Sequence, residues 1–353
     1  MSGADVIARA AAILGHRAEQ GVELAPFTTF RIGGPASLVV HARNADDFAA
    51  VHDAVRSTGV DVLVIGQGSN LLIADAGWPG LVVVVGGGDS DAIAIEHTEE
   101  QEFAVRAGAG VKLPVLARRS VVEGATGLEW MVGVPGSVGG AVRMNAGGHG
   151  SDIATNIVSA NVVDLADDVG IVRRSPASLG FAYRHSALSS SEVVINATFR
   201  CGVGPSSVGE ETVREIVRWR RVHQPGGANC GSVFTNPPGD SAGRLIDAAG
   251  LKGRRIGGAS VSDKHANFIQ SDPGGSAADV WALITHVRTQ VFERWGEVLT
   301  PEVRTAGFDA ELPVLVPLAS ADADRDADGG ANRDASGTPA PTDAPAAHPD
   351  KNP

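Results

Sequence analysis

The stretch Gly66-Gln67-Gly68-Ser69-Asn70-Leu71-Leu72-Ile73 decides how this chain is read. It follows a mostly apolar run of strand length at residues 60–65. It therefore invites comparison with the dinucleotide-binding fingerprint Gly-x-Gly-x-x-Gly, which opens a helix after a strand. The match fails twice. The sixth position is Leu71 instead of glycine, and Leu71-Leu72-Ile73 has the character of a strand, not of a phosphate-binding helix. Gly108-Ala109-Gly110 fails in the same way at Leu113. No Gly-x-x-x-x-Gly-Lys-Ser/Thr loop occurs, which argues against P-loop chemistry. Glycine still lets a backbone approach a ligand closely and turn its N–H groups inward, and Ser69 and Asn70 add side-chain donors. A plain tight turn is the competing reading of this loop alone.

Around the loop, Asn44 is placed to cap a helix, with Asp46 and Asp47 in its first turn and Gly59 at its end. Phe48, Val51 and Val55 share one face of it. Residues 38–41 and 81–85 are further strands. The order strand, helix, strand, glycine loop, strand predicts an α+β unit over residues 1–88, folded from about Gly21 onward. A second block, 89–205, is rich in short strands at 103–107, 158–164 and 193–200, and Gly202-Val203-Gly204-Pro205-Ser206 reads as a linker. A third block, 206–318, opens with a helix bearing Val213, Ile216 and Val217. It also contains an amphipathic helix capped by Ser276, with Val280, Leu283, Ile284, Val287, Val291 and Trp295 on one face and Gly296 closing it. Residues 319–353 contain no large apolar residue and carry seven Asp against two Arg and one Lys, so a disordered acidic tail is expected.

The 353 residues carry a formal net charge of −12, a poor match for a nucleic-acid backbone. The two cysteines, Cys201 and Cys230, are too few for a disulfide framework or a cysteine zinc site, and two free thiols are expected, with no metal. No apolar stretch reaches the length of a membrane span, and the N-terminus lacks a signal-peptide pattern. A cytoplasmic monomer without membrane partners is the expectation.

The second glycine loop is more informative. It runs Gly127-Leu128-Glu129-Trp130-Met131-Val132-Gly133-Val134-Pro135-Gly136-Ser137-Val138-Gly139-Gly140-Ala141 and continues to Met144-Asn145-Ala146-Gly147-Gly148-His149-Gly150. An anonymous loop tolerates most residues; one pressed against a flat ring system or a diphosphate needs many small ones.

The two loops, together with motifs that follow them in order, resemble the UDP-N-acetylenolpyruvoylglucosamine reductase (MurB) family over residues 27–308. The motifs are Thr29-Phe30-Arg31-Ile32-Gly33-Gly34, residues 66–70, residues 133–141, Met144-Asn145-Ala146-Gly147 and Tyr183-Arg184-His185-Ser186. They continue with Gly231-Ser232-Val233-Phe234-Thr235-Asn236-Pro237, Lys264-His265-Ala266-Asn267-Phe268-Ile269 and Pro301-Glu302-Val303-Arg304. The resemblance implies two α+β subdomains of the vanillyl-alcohol-oxidase type with FAD between them, and a C-terminal α+β substrate domain. The short spacings between residues 199 and 231 and between 236 and 256 place the chain with the family's short, type II form. His223 stands where the family commonly has lysine, and Ser271 where it often has asparagine.

The resemblance further implies NADPH-dependent, FAD-mediated reduction of an enolpyruvyl UDP-sugar to UDP-N-acetylmuramate. FAD would be held noncovalently by Ile65, Gly66, Gly68, Ser69 and Asn70 and by Val134, Pro135, Gly136, Ser137, Gly139, Gly140 and Ala141. Arg184 would polarise the substrate carboxylate, Glu302 would stabilise the intermediate, and Ser232 would donate the proton. Tyr183, His223, Asn236 and His265 would bind substrate. The absence of a second nucleotide fold suggests that NADPH and substrate use one cleft in turn. The alternatives are another FAD enzyme of the same fold acting on a sugar or alcohol, and a non-catalytic FAD or sugar-nucleotide binder.

Overall fold

The computed structural model describes residues 2–98, 101–168, 170–309 and 311–315. The expected tail, 319–353, lies outside the described residues.

The first sheet has the strand order Ala18–Glu23, Pro35–Ala42, Trp78–Val85, Val62–Ile65. The last three run parallel to one another, joined through the crossover helix Ala45–Thr58. Asn44 caps that helix by accepting the Asp47 N–H at 3.1 Å, and Gly59 ends it in the left-handed region, as the sequence predicts. Burial on both faces explains the near-continuous apolar run at 81–85. Leu38, Val40, Leu81, Val83 and Val85 face a core shared with Phe48, Val51 and Ala54 of the helix. Val39, Val82 and Val84 face a second core with Leu24, Ile65, Leu71 and Ile73.

Folding begins earlier than Gly21, contrary to the expectation. Ser2 and Asp5 form a reciprocal capping box that starts a helix over Gly3–Leu14, which buries Ala10 and Leu14 in the first core.

The second sheet is antiparallel, in the order Ile171–Arg174, Ile157–Asp164, Glu192–Val203, Phe103–Gly108, Ile93–His97. The expected linker at 202–206 is structured: Gly202 and Val203 continue the long strand and pair with Thr126 and Ala125, and Ser206 already begins the helix Ser206–His223. That helix buries Val213 and Ile216 in the first core, together with Val121 and Trp130, so its apolar face packs on the second block, while Lys264 of the third donates to its Arg221 carbonyl at 2.6 Å.

The third unit is a four-stranded antiparallel sheet, Ala228–Ser232, Phe268–Ser271, Ala259–Val261, Arg255–Ile256, against the helix Ala277–Trp295. Ser276 and Gly296 cap that helix, and Val280, Leu283, Ile284, Val287 and Val291 are buried; Trp295, expected on the same face, is 38% exposed. Its N-terminal N–H groups at Ala277 and Ala278 also donate to the carboxylate of Asp75 in the first unit, at 2.7 and 2.9 Å. The chain then returns: Arg304–Ala306 pairs in parallel with Leu71–Ile73, directly after the first glycine loop.

Candidate active site

That returning strand closes a cavity of about 910 Å³ between the units. All twelve expected cofactor residues line it: Ile65, Gly66, Gly68, Ser69, Asn70, Val134, Pro135, Gly136, Ser137, Gly139, Gly140 and Ala141. So do Arg184, Ser232 and Glu302.

The glycine loops are held largely by each other and by the surrounding backbone. A Cβ at Gly68, whose φ is +56°, would lie 2.0 Å from the Phe27 carbonyl oxygen, and one at Gly66 would lie 2.2 Å from Ser137 Oγ. A Cβ at Gly139 would lie 2.9 Å from that of Ala109. These glycines serve close packing within the protein, the turn-type alternative raised by the sequence. Gly140 differs: a Cβ there would meet nothing closer than Ser137 Oγ at 3.6 Å.

The side chains expected to add donors are already committed. Ser69 Oγ donates to the Pro135 carbonyl at 3.2 Å, which ties the two loops together, and Ser137 Oγ caps Gly140 N–H at 3.4 Å. Asn70 Nδ2 donates to the Glu302 carbonyl at 3.0 Å. What the loop still offers is backbone: among the described residues, the N–H groups of Gln67, Gly68, Ser69 and Asn70 donate to no protein atom. A run of such amides beside a cavity suits a diphosphate, which is the fit FAD requires.

Arg184 sits in a tight turn in which Ala182 and His185 exchange backbone hydrogen bonds at 3.0 and 3.1 Å. Its φ of +55° is unusual for a residue with a side chain. The Met144-to-Gly147 motif supports the turn: Asn145 Nδ2 donates to the Ala182 carbonyl at 3.0 Å, and Arg184 Nη2 donates to the Gly147 carbonyl at 3.0 Å. The guanidinium pairs with Glu302 through Nε and Oε1 at 3.0 Å. Arg184 Nη1 has no protein partner among the described residues.

Ser232 ends the strand Ala228–Ser232 after an irregularity between Asn229 and Ser232, where Gly231 has φ +80°. Bulges of this kind re-aim side chains, and the Asn229 side chain fixes this one by accepting Gly231 N–H at 3.0 Å. One residue on, the Val233 carbonyl accepts the Glu302 N–H at 2.8 Å. Glu302 is thus held through its own backbone from both sides, its N–H by the Val233 carbonyl in the third unit and its carbonyl by the Asn70 side chain in the first. Burial raises its carboxyl above the usual range, against the opposing pull of Arg184 and Arg304.

The four expected substrate residues do not line the cavity. Tyr183 is 61% exposed, with the Arg184 guanidinium 5.1 Å from its ring centroid. His223 stacks on Trp219 at 4.6 Å with Nδ1 at 2.8 Å from the Trp219 carbonyl. Asn236 Oδ1 accepts the Ala242 N–H at 3.1 Å, and His265 Nδ1 accepts the Asn267 N–H at 3.2 Å. In their place Trp219, Arg220 and Gln224 reach the cavity, as do His149, Arg143 and Arg304. Burial lowers the Arg220 pKa, and burial with Arg304 nearby lowers that of Arg143. None of these three arginines makes an ion pair among the described residues, although Glu302 lies within electrostatic reach of Arg304 and Glu192 of Arg143; the arrangement suits an anionic ligand. Their sequence signal was weak: each stands in or beside an element that reads as structural.

Comparison with known proteins agrees with this geometry. The sequence profile of UDP-N-acetylenolpyruvoylglucosamine reductase C-terminal domains matches residues 223–306, and that of an FAD-binding domain matches residues 36–174. The UDP-N-acetylenolpyruvoylglucosamine reductase of Synechococcus sp. (strain WH7803) is 41% identical over 295 residues, covering 82% of this chain and 94% of that protein. The reductase of Heliobacterium modesticaldum (strain ATCC 51547 / Ice1) is 43% identical over 284 residues, covering 79% and 88%. The crystal structure of UDP-N-acetylenolpyruvylglucosamine reductase (MurB) from Thermus caldophilus matches with a TM-score of 0.70 at 33% identity, over 82% of this chain and 99% of that one. On these matches the chain belongs to the UDP-N-acetylenolpyruvoylglucosamine reductase family.

Proposed function

We propose that this chain reduces the enolpyruvyl ether of UDP-N-acetylglucosamine to UDP-N-acetylmuramate, with NADPH as reductant and FAD as the bound carrier, in the supply of peptidoglycan precursor. The observation that carries the reading is the meeting of Arg184, Ser232 and Glu302 at a cavity that is also lined by the unpartnered backbone amides of residues 67–70.

Bound FAD supplies the hydride that NADPH provides. An enol ether is a poor hydride acceptor unless its carboxylate can take up charge as an enolate. Arg184 has Nη1 available for that carboxylate while Nε holds Glu302. The methylene carbon receives the hydride, and the adjacent carbon then takes a proton from Ser232 Oγ. Glu302, raised by burial, stabilises the charge that develops between these events. Arg220 takes the phosphate-binding part expected of His223. On this reading one chain supplies every group and works as a cytoplasmic monomer.

The test is a visible spectrum of the purified protein, followed by anaerobic reduction with NADPH and addition of the enolpyruvyl UDP-sugar. A flavin spectrum that bleaches and then returns is expected. Return with oxygen and a sugar or alcohol as the reducing substrate, and none with the enolpyruvyl compound, would support the oxidase alternative instead.

A further inference from the structure

We infer that Arg288 is a positioning residue for Glu302: its guanidinium ties both ends of the 299–313 segment that carries the carboxylate into the cavity. Arg288 lies in the helix Ala277–Trp295 and is 8% exposed, among Ile284, Val287 and Val291. Its Nε donates to the Leu299 carbonyl at 2.9 Å and its Nη1 to the Pro313 carbonyl at 3.2 Å. No carboxylate pairs with it among the described residues. A buried cation is costly unless it is well bonded, and an apolar side chain would fill the same surroundings without that cost. Both of its bonds go to the two ends of a single stretch of chain.

Between those ends stand Glu302, Arg304 and Thr305, which line the cavity. The Thr300 carbonyl accepts the Thr235 N–H at 2.9 Å, Glu302 is bonded to Val233 and Asn70, and Arg304–Ala306 pairs with Leu71–Ile73. Those partners belong to the site's own loops and short strands. The long helix also holds this stretch by apolar contact, Trp281 stacking on Phe308 and Leu299 and Val303 sharing its core; Arg288 is its hydrogen-bonding tether, and it acts three residues from Glu302 without lining the cavity. Removing it takes the hydrogen-bonded anchor from both ends at once, so the carboxylate is held less firmly beside Arg184 while the glycine loops keep their place.

The proposal rests on the role assigned to Glu302, and the two half-reactions separate the two ideas. In Arg288→Met, flavin reduction by NADPH should stay within about two-fold of the parent, since the carrier wall is untouched. Reoxidation by the enolpyruvyl UDP-sugar should fall about 10-fold, in kcat and not in KM, as expected for a misplaced group. Arg288→Lys should recover part of the loss. Amide exchange at residues 304–306 should quicken in the Met variant, a readout that needs no substrate. If the parent were not reoxidised at all, the function would be wrong, and amide exchange would still decide the tether. Unchanged reoxidation with unchanged exchange in a folded Met variant overturns the inference, and so does equal slowing of both half-reactions. If Arg288→Met does not fold, Arg288→Gln, which keeps a donor without the charge, is held to the same criteria.

Discussion

The wall formed by residues 65–70 and 134–141 offers mainly backbone to the cavity, whereas the wall with Arg184, Ser232 and Glu302 offers side chains drawn from three distant parts of the chain. In the first, glycines let segments approach within contact distance of Phe27, Ala109 and Ser137, and the amides left over face a ligand cavity. In the second, Arg184 is gripped by Gly147 and Glu302, Ser232 is turned by a bulge, and Glu302 is bonded to Val233 and Asn70. The backbone wall should fail through stability and cofactor retention, and the side-chain wall through chemistry while the cofactor stays bound.

The sharpest separation comes from Ser232→Ala. Loss of a positioned proton donor should lower turnover by about 10³-fold, near 4 kcal/mol of transition-state stabilisation. NADPH should still bleach the flavin at the parent rate in rapid-mixing measurements. Turnover at the parent rate would remove Ser232 from the chemistry.

Gly68→Ala should fail in the opposite manner. Its backbone is left-handed, and the new methyl would overlap the Phe27 carbonyl. A destabilisation of about 3 kcal/mol is expected, read as a lower Tm together with weaker FAD retention. A variant that keeps its Tm and loses only FAD would place Gly68 against the ligand instead of against Phe27.

This contrast also explains what could be read from the sequence. Local devices were legible: Asn44 and Ser276 as caps, Gly59 and Gly296 as helix ends, and the glycine loops as one wall of a site. The helix Gly3–Leu14 is less legible: it packs Val6, Ile7, Ala10, Ala11 and Leu14 on the core, but three of the five are only partly buried and two are alanines, although Ser2 and Asp5 mark its start. Contacts at a distance were not legible. Nothing near residue 145 shows that Asn145 supports the Arg184 turn, and nothing near residue 70 shows that the Asn70 amide is spent on Glu302. His223 stands out in the sequence because it precedes Gln224-Pro225 where the family commonly has lysine, and only the fold shows that Arg220, a turn earlier on the same helix, reaches the cavity.

Glu302 gives a smaller effect through pH. Burial outweighs its arginine neighbours, so the folded chain holds this proton more tightly than the unfolded one. Its contribution to stability is complete below the ordinary carboxylate pKa and is lost as pH rises through the higher folded value. Glu302→Gln should therefore show a shallower fall in Tm between mildly acidic and neutral pH than the parent. Parallel profiles would mean that the pairing with Arg184 keeps the carboxylate ionised in the fold.

The smallest effect is the most discriminating about the backbone wall. Gly140 lies in the helix Val138–Met144, lines the cavity, and has ordinary van der Waals room for a methyl on its protein side. Replacing glycine by alanine at a helical position with negative φ lowers backbone entropy in the unfolded chain, an effect of about 0.5 kcal/mol in this first turn, so the FAD-free Gly140→Ala protein should be slightly more stable than its parent. If the cofactor packs on this helix, the same methyl intrudes on it and FAD should bind more weakly. Gly68 would then be a glycine kept for the protein and Gly140 one kept for the ligand, a distinction that composition alone cannot make. Higher apo stability with unchanged FAD affinity would move the cofactor away from Gly140 and leave the 67–70 amides as its main backbone contact.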